Sequence, residues 1–86
     1  YVDAPFHRFA DGKDLSQLDL SSLANLEGLV VRTQNVQSID FERFRGLDLA
    51  GKAVLVHTGW DRHWLTDQYF DGHPFLTRRA AQYLAD

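Results

Sequence analysis

The chain contains no cysteine among its 86 residues. Disulfides, thiol chemistry and cysteine-based zinc sites are therefore all excluded, which agrees with a cytoplasmic enzyme. No apolar run approaches the roughly 20 residues that a membrane-spanning helix needs. No signal-peptide pattern stands within these residues either, so no membrane partner is expected. Basic residues are outnumbered: nine Lys and Arg face twelve Asp and Glu, for a formal charge of −3. The densest basic stretch is the pair Arg78-Arg79, which is too little to make a nucleic-acid footprint. The six glycines are dispersed as turn formers, and none builds a phosphate-binding loop.

What is present is ordinary globular material. Hydrophobic residues make up 44% and charged residues 24%, and eleven aromatics are available for burial. Such a chain is not disordered, and its length allows one domain at most.

Tyr1–Ala4 reads as short and β-like, and Pro5 keeps it out of a sheet interior. Asp11-Gly12 signals a turn. Leucines at 15, 18, 20, 23 and 26 predict a short helix, capped by Ser21 or Ser22 and closed by Gly28. Leu29–Thr33 is a β-branched strand run. Asp40 can cap a short helix over Phe41–Arg45, ended by Gly46. Ala53–His57 is apolar on both faces, as in a central strand covered on two sides. Residues 63–74 read as irregular. Thr77 can cap a last helix, Arg78–Ala85, with Ala80, Ala81 and Leu84 on its inner face. The layout is α/β.

The chemistry concentrates near the start. Asp3 offers a hard anionic oxygen, and His7 an imidazole able to bind metal or move a proton near neutral pH. Pro5 lies between them and disfavours helix across the segment. Alone, such a string also describes an aspartate at a turn and a histidine on a loop.

The wider context is more specific. Tyr1-Val2-Asp3-Ala4-Pro5-Phe6-His7-Arg8-Phe9, followed by Asp11-Gly12 and Asp14-Leu15, resembles the signature His-x-Gly-Thr-His-x-Asp-x-Pro-x-His. That signature belongs to the cyclase family of metal-dependent hydrolases, which includes bacterial kynurenine formamidase and isatin hydrolase. Gly51–Trp60 resembles the family's second landmark, a strand running into Thr-Gly-Trp. Tyr69-Phe70, His73-Pro74 and the Ala-Ala helix keep the family's order.

The resemblance implies a fragment of a swivelling β/β/α domain with a mixed sheet and short helices, continuing on both sides of residues 1–86. It implies a zinc or manganese ion held by Asp3, with His7 as general acid or base. Family members cleave small amides, lactams or esters with a metal-activated water, and assemble as oligomers. A small-molecule substrate and a homo-oligomeric parent are thus expected. Tyr1 stands where the signature has a metal-binding His, and could serve as a phenolate ligand or bond the substrate. Phe6 and Trp60 are candidate substrate-binding residues.

His57, at the end of its strand, reads either as a pocket residue or as a half-buried His bonded to backbone. His63 and His73 fit surface or packing roles. Arg8 could meet an anionic substrate group or pair with Asp11 or Asp14. Two further readings fit the same residues: a metal-free, silent family relative, and a small non-enzymatic α/β interaction module.

Overall fold

The computed structural model describes all residues from Tyr1 to Asp86. Four strands form: β1 (Gly28–Arg32), β2 (Ser38–Ile39), β3 (Ala53–His57) and β4 (Phe75–Leu76). They pair as two separate parallel ladders, β1 with β3 and β2 with β4. In the longer ladder Val30 stands beside Leu55, and Arg32 beside His57. One helix, α1 (Arg78–Ala85), closes the chain. The α/β class expected from the sequence is the class observed. No helix is long and apolar enough to cross a membrane.

Side-chain alternation along the strands sends successive residues to opposite faces. Val31 faces inward with Val54 and Val56. There they meet Ile39, Phe44, Ala80, Leu49 and Leu84. Phe44 and Ala80 are completely buried. Ala80 lies on the inner face of α1 as expected, and Leu84 packs beside it, but Ala81 turns outward. An eight-residue helix meets a core this small along one narrow stripe.

Two local clasps join the pieces of that core. Asp40 Oδ1 accepts the Phe41 amide at 2.8 Å, capping a 3₁₀ turn over Phe41–Arg43. The Thr77 hydroxyl donates to the same Asp40 oxygen at 2.7 Å and accepts the Ala80 amide at 3.1 Å, capping α1. Both caps fall where the sequence places them. The first helix is only one turn, and Gly46 past its end adopts the left-handed φ of 81° that favours glycine.

Three expectations are corrected. The Leu-rich stretch forms two isolated 3₁₀ turns, Leu15–Gln17 and Leu20–Ser22, and Gly28 opens β1. Ser22 does not cap a helix; its hydroxyl donates to the Asp19 carbonyl. Leu15 and Leu20 are exposed, so no tertiary packing supports a longer helix there. Tyr1–Ala4 is extended at Ala4 but pairs with no strand. β3 is covered on one face only, because Leu55 on the other is 54% exposed.

The chain is open. Its surface is 7181 Å², against about 5,200 Å² for a compact monomer of this mass. Its radius of gyration is 14.7 Å, against about 12 Å for a compact chain of this length.

Candidate functional site

Residues 3–14 fold back on themselves. Pro5 supplies the fixed φ that starts a 3₁₀ turn over Pro5–His7. The amides of Arg8 and Phe9 both donate to the Pro5 carbonyl, at 3.0 and 2.9 Å. The loop is then closed by the Phe6 amide, which donates to the Lys13 carbonyl at 3.0 Å. Gly12 makes this closure possible. A Cβ there would lie 2.8 Å from both the carbonyl carbon and Cβ of Pro5, closer than packed atoms come.

On this bend the two chemically interesting side chains meet. His7 Nδ1 lies 3.7 Å from Asp3 Oδ1. Both are solvent-facing, and together with Phe6 they line an open groove of ≈ 410 Å³. Its other wall carries Asp14, Leu15 and Ser16. Asp14 is fixed by a capping box: its carboxylate accepts the Gln17 amide, and its own amide donates to Gln17 Oε1 at 2.9 Å. The Ser16 hydroxyl donates to Asp14 at 2.6 Å and holds its carboxyl below the usual range. Sequence reasoning did not single out Asp14 as a groove residue. The usable signal was Asp14-x-x-Gln17, a capping-box spacing. Arg8 enters no ion pair, so its expected pairing with Asp11 or Asp14 does not form.

The other candidates lie elsewhere. Tyr1 is fully exposed and is not part of the groove lining. Trp60 is half-buried in a separate cleft of ≈ 200 Å³, with Asn35, Gln37, Thr58 and Arg62. Gly59, at φ 75°, turns the chain out of β3. The Trp60 indole donates to the Tyr69 carbonyl at 3.0 Å, and its ring stands edge-on to His63 at 4.4 Å. His63 thus packs, as expected. His57 is exposed at the end of β3 and not half-buried.

The family model described as "Putative cyclase" matches residues 1–86. The chain belongs to the cyclase family. The match takes in the proline bend, the Thr-Gly-Trp turn and the helix that follows them. No curated protein and no solved structure matches the chain.

The donor chemistry of the bend suits part of a divalent-cation site. A carboxylate and an imidazole face each other across 3.7 Å, and both are common ligands or neighbours of zinc and manganese. No group of three or more His, Cys, Asp or Glu side chains converges anywhere in the chain, the bend included. The bend thus brings together two polar groups, fewer than the about four donors that a zinc site uses.

Proposed function

We propose that this cyclase-family chain carries the acid/base part of a metal-dependent hydrolase acting on a small amide, lactam or ester. The supporting observation is the approach of His7 to Asp3 on a bend braced by Pro5 and Gly12. Asp3 would hold the cation with donors outside these residues, because Tyr1 does not line the groove. Zinc or manganese, when bound, supplies Lewis acidity and lowers the pKa of a coordinated water.

The chain's own residues would do the rest. The His7 imidazole takes a proton from the attacking water and returns it to the leaving nitrogen or oxygen. Asp3 Oδ1, 3.7 Å from Nδ1, keeps carboxylate and imidazole on the same groove. Phe6 borders the groove and offers an apolar face to a planar substrate. Trp60, in its separate cleft, would reach the same substrate only if that substrate bridges the two sites.

The test is hydrolysis of formanilide by the metal-supplied natural protein. Turnover that a chelator abolishes, and that zinc or manganese restores, supports the reading. A well-folded, metal-loaded protein without turnover on formanilide, a lactam or an aryl ester would favour the silent-relative reading.

A further inference from the structure

Two loops leave the same end of the parallel β1–β3 ladder. Residues 33–37 follow β1, and residues 58–62 follow β3. The Thr33 amide donates to the His57 carbonyl at 2.9 Å, so the loops start side by side. The carboxyl ends of parallel strands are where open α/β sheets place ligands. Here the two loops border the ≈ 200 Å³ cleft beside Trp60, and Gly72 and Pro74 complete its lining. The Phe75 amide donates to the Gln37 carbonyl at 2.9 Å and fastens the two parts together. The cleft shares no residue with the Asp3–His7 groove.

The lining is rich in hydrogen-bond donors and contains no acid. Asn35 and Gln37 carry amide NH₂ groups, Thr58 a hydroxyl and Arg62 a guanidinium. Thr58 Oγ1 accepts the Trp60 amide at 3.2 Å, which leaves its hydroxyl hydrogen free to donate. Arg62 Nη1 donates to the Gly59 carbonyl at 3.3 Å, and the guanidinium lies 5.8 Å from the Trp60 ring centroid. Two contacts thus place the cation before any ligand arrives, which reduces the ordering that binding must impose. Arg62 enters no ion pair. The acids nearest in sequence, Asp61 and Asp71, do not line the cleft.

A cationic cleft lined by donors takes an anion. The planar guanidinium fork matches the two oxygens of a carboxylate. The volume falls below the about 300–1,000 Å³ of pockets for drug-sized ligands, so the ligand is small. Trp60 offers it an aromatic surface.

We propose that the cleft of Asn35, Gln37, Thr58 and Arg62 beside Trp60 is a binding site for a small organic carboxylate, with the Arg62 guanidinium as its charged anchor. The inference is independent of the Asp3–His7 chemistry.

The experiment titrates the natural protein with sodium benzoate, benzamide and inorganic phosphate at neutral pH and equal ionic strength. NMR follows the Trp60 indole N–H and the side-chain amides of Asn35 and Gln37. Benzoate is expected to shift these signals saturably. It should bind roughly fivefold or more tighter than benzamide, its neutral counterpart of the same shape, and tighter than phosphate. Arg62→Met, at an exposed position, keeps an apolar stem beside Trp60 and should lower benzoate binding to the level of benzamide. Asn35→Asp preserves size and tolerates the left-handed φ of 63° at this position. By placing an acid in the cleft it should weaken benzoate binding about fivefold or more. Equal binding of benzoate and benzamide overturns the proposal, as does unchanged benzoate affinity in either variant. So does phosphate binding as tightly as benzoate, or the absence of saturable shifts at these signals.

Discussion

His7 Nδ1 stands 3.7 Å from Asp3 Oδ1, four residues apart on a bend that is not an α-helix. Local geometry alone creates the approach: Pro5 starts the turn, and the Phe6–Lys13 backbone bond closes it. The proposed proton transfer depends on this pair. His7→Ala should lower hydrolysis by the natural protein about 10²- to 10⁴-fold, with metal content retained. Steady-state rates on formanilide and metal analysis of the same sample check both halves.

Gly12 is the second requirement of the bend. Gly12→Ala forces a methyl group against Pro5 backbone and side chain, an overpacking that costs about 1–3 kcal/mol. The loop contributes nothing to the buried cluster of Val31, Ile39, Phe44 and Ala80. Its opening should therefore speed hydrogen exchange at the Phe6 amide while leaving the β1 and β3 amides unchanged. Uniform loss of protection would instead make the bend part of the cooperative core.

The Asp40–Thr77 clasp predicts an acid dependence. The Thr77 hydroxyl, then the Phe41 amide and the Arg79 guanidinium, hold the Asp40 carboxyl below its ordinary 3.8. The unfolded chain then binds this proton more readily, so stability rises with pH. The contribution is fully present above the unfolded value and is lost as pH falls through the lower folded one. Thr77→Val removes the largest cause and the helix cap, costing about 1 kcal/mol near neutrality. Urea melts from pH 6 down to pH 2 should show a smaller acid loss in the variant than in the parent.

What the sequence discloses is mainly local. Asp40 and Thr77 cap neighbours one and three residues away, and short polar side chains before apolar runs announce such caps. β1 is visible as a β-branched run and β3 as a short run that is apolar on both faces. β4 is not, because two residues pair with β2 only through contacts some 37 positions away. The leucines of residues 15–26 suggest a helix because their number is high. They fail to form one because Leu15 and Leu20 find nothing to pack against. The two-sided apolar character of Ala53–His57 suggests cover on both faces, and the structure packs only the face of Val54 and Val56. At the site, Asp3 and His7 stand out through the resemblance of Tyr1–Phe9 to the family signature, since their spacing around Pro5 alone also fits a turn and a loop. Asp14 reaches the same groove through the fold-back at Gly12, which no helical or strand period encodes.

The most direct test of the central claim is a manganese titration of the 86-residue chain, read by paramagnetic broadening in NMR. The account predicts that signals of Asp3 and of the His7 imidazole broaden first, and that Asp3→Asn greatly weakens this effect. Broadening that spares both residues and centres on another carboxylate, such as Asp48 or Asp71, would contradict it.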